Sequence, residues 1–434
     1  MQHRRVAITG LGVVSPLGNT VQSSWNNLLN GCSGISQISH FDARYFSTSI
    51  AAEVKNFMPS TTGINGKNNL KHTKYSIAFT RYALEAANEA INDANIRPKA
   101  VDAYRWGLVV GSGMMTTEFD YLQRFQQACA FEGKIDWSKF QDCSSQFLDL
   151  ADFGKTNSNS GLALLIQEFG IEGYATSVHT ACASGGQALG LAMQVIRRNE
   201  ADCVLAGGFD SMITQIGLSS FCLLGALSTY NTTPETASRP FDATRNGFVL
   251  GEGAAFLVLE EWDHAIDRGA KIYAELAGEG NSLSSYRITD SHPNGDGAMQ
   301  AIRNALQDAQ VSSAAVDYIN AHGTSTKMND LSETNAIKTV FGAGSKSIPI
   351  SSTKSQTGHL IAAAGALEAV FSVLAIQHST IPKTANLITP DPECDLDYVV
   401  DGPRRKDLKI VLSNSFGFGG SNSCLLFKHP EFSR

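Results

Sequence analysis

The run Val178-His179-Thr180-Ala181-Cys182-Ala183-Ser184-Gly185-Gly186 sets a thiol in a turn of small residues. Val178 reads as a strand end. From Gln187 onward, Leu189, Leu191, Met193, Val195 and Ile196 suit a well-packed helix. Cys182 therefore falls at or near a helix N-terminus, where unpaired amides and the helix dipole favour a thiolate. Small neighbours let a thioester approach the backbone closely. The plain alternative is a free cysteine packed as a small apolar residue. The other seven cysteines, at 32, 129, 143, 203, 222, 394 and 424, lack this setting and read as core or surface residues.

Outward from this turn, short apolar strands alternate with helices. Val6–Ile8 reads as a strand ended by Gly10 and Gly12, and Trp106–Val110 as another closed by Gly111-Ser112-Gly113. Val204–Ala206 runs into Gly207-Gly208, and Ala254–Leu259 is apolar on both faces. Helices are predicted over 75–96, 298–309 and 360–376, and residues 114–150 read as helix and loop. Residues 19–75 are polar and turn-rich with weak periodicity. Alternation of this kind predicts an α/β fold with mostly parallel sheets. The element order recurs loosely, with one half over 1–265 and the other over 266–434, so a duplicated domain is expected.

Two histidines sit on later loops. His322 follows a short apolar strand over 317–320 and precedes Gly323-Thr324-Ser325-Thr326, whose hydroxyls suit a polar substrate arm. His359 and Lys354 flank Gly358 within Ser351-Ser352-Thr353-Lys354-Ser355-Gln356-Thr357-Gly358-His359, ahead of an apolar helix. Loops at strand ends are where α/β folds place active sites. Lys354 taken alone reads as a solvated charge. His3, His40, His72, His264, His378 and His429 read as structural, and His179 is left unassigned. A thiol with one histidine would also suit a hydrolase. Two histidines and a lysine on separate loops suggest a reaction with two charge-developing steps.

Composition narrows the class. With 34 Lys and Arg against 41 Asp and Glu, the net charge of -7 argues against a nucleic-acid binder, whose footprint is basic. Hydrophobic residues at 43% argue against disorder. Eight cysteines without a C-x-x-C pair make a disulfide scaffold or a zinc site improbable and suit a reducing compartment. The start, Met1-Gln2-His3-Arg4-Arg5-Val6, reads as a first strand rather than a signal peptide. No stretch reads as approaching the roughly 18 apolar residues of a spanning helix. A cytoplasmic protein without membrane attachment is the expectation.

At these residues the chain resembles the β-ketoacyl-[acyl-carrier-protein] synthases, most closely the type II condensing enzymes of fatty-acid synthesis. Thr180–Gly185, Asn320–Thr326 and Ser351–His359 match the cysteine, first-histidine and lysine-histidine motifs of that family. Ser238-Arg239-Pro240-Phe241-Asp242, Gly247–Ala254 and Asn414-Ser415-Phe416-Gly417-Phe418-Gly419-Gly420-Ser421-Asn422 agree further, so the likeness runs from Val6 to Phe427. It implies a thiolase-like fold of two similar halves in a five-layered α/β/α/β/α architecture, forming a homodimer. It implies ping-pong condensation of an acyl chain, carried by acyl carrier protein, with malonyl carrier protein. No metal and no cofactor beyond the carrier's phosphopantetheine is implied.

The resemblance also implies residue roles. Cys182 is the nucleophile, and the amides of Cys182 and Phe418 form an oxyanion hole. His322 and His359 stabilise the enolate oxygen and assist decarboxylation. Lys354 tunes this cluster, supported by Glu368. Thr324 and Thr326 bind the pantetheine arm, with Thr289 a weaker candidate. Phe418 acts as a gate, and Met114 limits the acyl pocket. Lys67, Lys71 and Lys74 form a basic dock for the acidic carrier. Several stretches depart from the family pattern. Residues 115–150 are longer than usual, residues 150–163 lack a proline, and Ser284-Ser285-Tyr286-Arg287 and Lys327-Met328-Asn329 replace the customary loops. These departures bear on substrate identity more than on reaction type. A ketosynthase of a polyketide or specialised acyl pathway is the alternative. A non-catalytic chain-length-factor-like partner should lack Cys182, and a thioester hydrolase would not need Lys354 and His322 together.

Overall fold

Gly10 and Gly12, expected to end the first strand, lie inside it. In the computed structural model, strand β1 covers Val6–Val14. A Cβ on Gly10 would lie 2.2 Å from the Ala90 carbonyl oxygen, and one on Gly12 would lie 1.8 Å from that of Ala86. These carbonyls belong to helix α1, Ala78–Asp93, so the glycines bring helix backbone onto strand backbone rather than marking a turn. The structure describes residues 4–59, 77–96, 102–113, 118–131, 133–147, 154–155, 157 and 159–433.

Strand β2 (Trp106–Ser112), helix α2 (Ser160–Phe169), strand β3 (Ala175–Val178), helix α3 (Ser184–Arg197), strand β4 (Cys203–Ser211) and strand β5 (Glu252–Glu261) complete the first half. The second half holds β6 (Ala274–Leu283), α4 (Asp296–Asp308), β7 (Tyr318–Asn320), α5 (Lys327–Phe341), β8 (Ile350–Ser351), α6 (Ala364–His378), β9 (Ile410–Phe416) and β10 (Ser421–Lys428). The strands lie in the order β8-β7-β9-β10-β6-β1-β5-β4-β2-β3. Within the first half, β3 to β2 and β2 to β4 are parallel, and β4 to β5 and β5 to β1 antiparallel. The second half repeats this with β8 to β7 and β7 to β9 parallel, and β9 to β10 and β10 to β6 antiparallel. The two half-sheets join at β1 and β6, where Ala7 pairs with Glu275 and Ile8 with Ala274.

The repeat extends to single residues. Gly278 and Gly280 of β6 meet the Ala305 and Ala301 carbonyls of α4 as Gly10 and Gly12 meet α1. Helices α3 and α6 pack between the two half-sheets, with Leu189, Met193 and Ile196 against Leu367, Val370 and Phe371 in one core. Helices α1 and α2 cover the outer face of the first half, and α4 and α5 that of the second. The layers are therefore α/β/α/β/α. Strand β5 is apolar on both faces because Phe256 and Val258 face the outer core while Leu257 and Leu259 face the middle one.

Four readings of the chain change, the first being that the large sheet is mixed rather than mostly parallel, because each half adds an antiparallel pair of strands to its parallel three. Strand β4 continues through Gly207 and Gly208, since a Cβ on Gly208 would meet the Ala362 carbonyl at 2.7 Å. The turn-rich stretch 19–75 contains a helix, Val21–Leu29, opened by a Thr20 and Ser23 capping box. The 114–150 region, read as helix and loop, does contain helices, Phe119–Cys129 and Trp137–Phe147. The segment Ile361–His378 is long and apolar enough to cross a membrane, against the expectation that no stretch is. It is the turn leading into α6 together with α6 itself, and 89% of it is buried inside the protein between the half-sheets.

Candidate active site

Cys182 sits in a single 3-10 turn, Ala181–Ala183, between β3 and α3. The turn starts on Ala181 at φ +50°, a left-handed conformation costly for a residue with a Cβ. Ser184 holds it: its Oγ accepts from the Thr180 amide at 2.8 Å and donates to the Ala181 carbonyl at 2.7 Å. Helix α3 can approach because Gly185 faces the Ala362 carbonyl and the Ala366 amide, where a Cβ would lie 2.8 and 2.9 Å away. Burial pushes the Cys182 thiol up to about 12, while Lys354 and the Phe418 and Cys182 amides directed at the sulfur pull it down. The N-terminus of α3 pulls in the same downward direction.

Both predicted histidines arrive beside this thiol. The Cys182 Sγ and one ring nitrogen each of His322 and His359 lie within 4.8 Å of one another. The two imidazoles meet edge to face, with ring centroids 5.3 Å apart. The backbone of His359 is pinned on both sides, its amide to the Val249 carbonyl and its carbonyl to the Gly251 amide, each at 2.8 Å. Its Nδ1 accepts from the Ile361 amide at 3.2 Å. That bond requires Nε2 to carry the ring proton, and Nε2 has no hydrogen-bond partner among the described residues. The ring thus offers a free N–H rather than the lone pair a metal needs. Burial, and after it the Lys354 charge, hold both imidazoles well below their usual range, so both are neutral near pH 7.

Lys354 is 1% exposed and is no solvated charge. Its Nζ pairs with Glu368 Oε1 on α6 and donates to the His322 carbonyl at 2.7 Å. Burial pushes the Glu368 carboxyl up to about 7 against the opposing pull of Lys354. Glu333 was not singled out from sequence, yet it fixes the His322 loop. Its carboxylate accepts from the His322 amide at 2.9 Å, the Gly323 amide at 2.8 Å and Asn414 Nδ2 at 3.0 Å. The signal was present: Glu333 lies on the stripe of α5 that buries Ala336 and Ile337.

A cavity of about 430 Å³ opens onto this trio. Cys182, His322 and His359 line it with Phe418, Thr289, Thr324 and Thr326. The Thr324 and Thr326 hydroxyls are 3.0 Å apart, and Thr326 also caps α5. Phe418 is half-buried beside Phe221, in the apolar cluster that contains Cys182, Met212 and Ile361. Its loop is strapped to the 284–288 segment: the Ser284 amide donates to the Gly420 carbonyl at 2.8 Å, and the Gly419 amide donates to the Ile288 carbonyl at 2.7 Å. A Cβ on Gly420, at φ +83°, would fall 2.0 Å from the Ser284 carbonyl.

The structure thus brings together Cys182, His322, His359, Lys354, Glu368, Phe418, Thr289, Thr324 and Thr326. Met114, Lys67, Lys71 and Lys74 lie outside the described residues. His179 turns away from the cavity to the Ser112 carbonyl and the Ser177 hydroxyl, 3.0 and 2.9 Å distant. His264 belongs to an ion-pair cluster in which Arg268 clasps Glu260.

Comparison with known proteins agrees with this geometry. Residues 3–265 match the family described as beta-ketoacyl synthase, N-terminal domain, and residues 273–388 the beta-ketoacyl synthase, C-terminal domain. The 3-oxoacyl-[acyl-carrier-protein] synthase 2 of Coxiella burnetii is 43% identical, covering 98% of this chain and 99% of its own. That of Staphylococcus aureus strain COL is 40% identical, covering 99% of both. Among solved structures, a beta-ketoacyl synthase from Burkholderia phymatum matches with a TM-score of 0.87 at 32% identity, covering 98% of this chain and 99% of that one. A type II PKS ketosynthase solved with its acyl-carrier protein matches at 0.85 and 36%, with the same coverage.

Proposed function

The chain belongs to the beta-ketoacyl synthase family, and from that premise we propose how its buried thiol and paired imidazoles carry out the reaction. The protein is an acyltransferase that condenses an acyl chain with a malonyl unit, both held on acyl carrier protein, and lengthens the chain by two carbons. The relatives at 40–43% identity are 3-oxoacyl-[acyl-carrier-protein] synthases by name, whereas the PKS ketosynthase is more distant at 36%, so fatty-acid elongation is the reading and the polyketide alternative is not favoured.

In the first half-reaction the Cys182 sulfur attacks the acyl thioester carbonyl. The sulfur–carbon bond to Cys182 forms, the bond to the pantetheine sulfur breaks, and the thiol proton leaves with the carrier thiol. The Cys182 and Phe418 amides hold the oxyanion. In the second half-reaction malonyl carrier protein binds with its arm against Thr324 and Thr326, with Thr289 beside them. Its thioester oxygen faces His322 and His359. Loss of carbon dioxide leaves an enolate whose oxygen these groups stabilise, and its carbon attacks the acyl-cysteine. Cys182 departs as thiolate and is reprotonated, and 3-oxoacyl carrier protein leaves. Neutral imidazoles suit this step, because a hydrogen-bond donor stabilises an enolate without first having to lose a proton. Lys354 and Glu368 supply balanced charge behind the ring pair, and Phe418 swings aside once Cys182 is acylated.

The observation that carries this reading is the partnerless Nε2–H of His359 beside the thiol, opening onto the same cavity. No metal or added cofactor takes part, since the substrates arrive on phosphopantetheine. The active form is a homodimer in the cytoplasm, assembled from chains duplicated over 1–265 and 266–434; the repeated strand order of the two half-sheets supports the duplication. Lys67, Lys71 and Lys74 dock the carrier, and Met114 limits chain length. Cys182→Gln tests the division of labour. It should abolish condensation while malonyl carrier protein still releases carbon dioxide. Loss of decarboxylation together with condensation in a folded variant would refute the separate histidine role. Charge reversal at the three lysines should weaken carrier use and flatten its salt dependence.

A further inference from the structure

The turn Ile361–Ala363 ahead of α6 repeats, in the second half, the turn that carries Cys182 in the first. Ile361 has φ +46° where Ala181 has +50°. In the first turn, the Cys182 amide is directed at its own sulfur beside the cavity. In the second, the equivalent amide, that of Ala362, is occupied by an internal anion: it donates to Asp210 Oδ2 at 3.0 Å. Asp210 lies near the end of β4 and is fully buried. Its Oδ1 has no hydrogen-bond partner among the described residues, although the Ser211 amide is directed at the carboxyl group. A Cβ on Gly113 would lie 2.2 Å from that oxygen, so glycine at this position leaves the room that the carboxylate occupies.

A carboxylate buried with one bare oxygen is costly, and sheet formation alone does not require it. Its neighbours in the turn give it a role. One residue before Ala362, the Ile361 amide donates to His359 Nδ1 at 3.2 Å and thereby sets the tautomer of that ring. We propose that Asp210 is a positioning residue for the condensation: by holding the Ala362 amide it keeps the Ile361 amide on His359 Nδ1, and so keeps the Nε2 proton aimed at the malonyl thioester oxygen. This rests on the histidine role given above. The space occupied by a substrate oxygen in front of the first turn is filled in the second by a side chain of the protein itself.

Two partial reactions of the full-length enzyme test this. One is acyl transfer from octanoyl carrier protein to Cys182, read by intact mass. The other is carbon dioxide release from malonyl carrier protein. Asp210→Ala should slow decarboxylation about tenfold or more, as small misplacements of a catalytic group do, while acylation does not slow, since the Asp210 charge only holds the Cys182 thiol up. Asp210→Asn, which keeps an oxygen for the Ala362 amide, should recover most of the decarboxylation. Should Asp210→Ala fail to fold, Asp210→Ser is read by the same ratio. An equal loss of both reactions, or a loss in neither, in variants that melt like the wild type would overturn the proposal. If the wild type performs neither partial reaction, the failure lies with the proposed function and not with Asp210.

Discussion

Two turns of one shape stand at the heads of α3 and α6, and only one of them carries a thiol. Each begins on a left-handed residue, Ala181 or Ile361, and each is followed by a glycine, Gly185 or Gly365, that lets the two helices touch. A Cβ on Gly185 would reach the Ala362 carbonyl at 2.8 Å, and one on Gly365 would reach the Gly186 amide at 2.7 Å. The backbone device is therefore shared, and the chemistry depends on two further things: a thiol rather than a methyl at the middle position, and a cavity rather than Asp210 in front of the amide. A strained turn at a helix N-terminus is not by itself an active site.

Exchanging the middle residues should break the comparison most sharply. Cys182→Ala makes the first turn like the second and should lower condensation by about 10³-fold or more with little change in melting temperature. Ala362→Cys makes the second turn like the first and should acquire no acyl adduct at that position, because no cavity opens onto it; overpacking should cost about 1–3 kcal/mol. An adduct at position 362 would show that the turn alone confers reactivity.

The next effect in size concerns the buried pair behind the histidines, Lys354 with Glu368 of α6. Lys354→Ala leaves Glu368 buried without its cation and should destabilise the protein by about 3–5 kcal/mol, read by urea unfolding. The double variant Lys354→Met with Glu368→Leu should regain most of that stability and little of the activity. The glycines should then separate the two turns: Gly365→Ala and Gly185→Ala should each cost about 1–3 kcal/mol. Gly185→Ala should also slow acylation, since it shifts the turn that carries the thiol.

The smallest expected effect is a dependence on pH. Burial raises the Asp210 carboxyl to about 7 from an ordinary value of 3.8. Between those values the folded state holds a proton that the unfolded state has lost, so stability falls as pH rises through this window and levels off above about 7. The slope is at most about 1.4 kcal/mol per pH unit. Asp210→Asn should remove its share of this slope, while the shares of Glu368 and Glu89, both raised to about 7 by burial, remain.

Much of this was legible in the chain. Cys182, His322, His359 and Lys354 were recognisable because each lies in a loop of small or hydroxyl-bearing residues next to an apolar strand or helix. The two-half architecture was legible only as a loose recurrence, although Gly10 and Gly12 against Gly278 and Gly280 are its residue-level mark. Those glycines were misread as strand ends because a close helix above a strand leaves the same local pattern as a turn. Glu333 and Asp210 are not singled out by the sequence, and Asn414 enters only as part of a motif with no partner assigned, for a different reason. Each acts through bonds that the sheet order creates between distant segments, as when Asn414 meets Glu333 across 81 positions. Lys354 looked like a surface charge because nothing local announces Glu368 fourteen residues on, one helix away.

The central claim is that the turn in the first half is where the growing chain waits and that the paired imidazoles deliver the next unit to it. Intact-mass spectrometry tests this most directly, with the protein given acyl carrier protein charged with a labelled acyl group and then malonyl carrier protein. The predicted result is one acyl mass on Cys182 that disappears on the second addition as a 3-oxoacyl carrier protein two carbons longer appears. Release of the free acid without extension, or the absence of any adduct on Cys182, would contradict it.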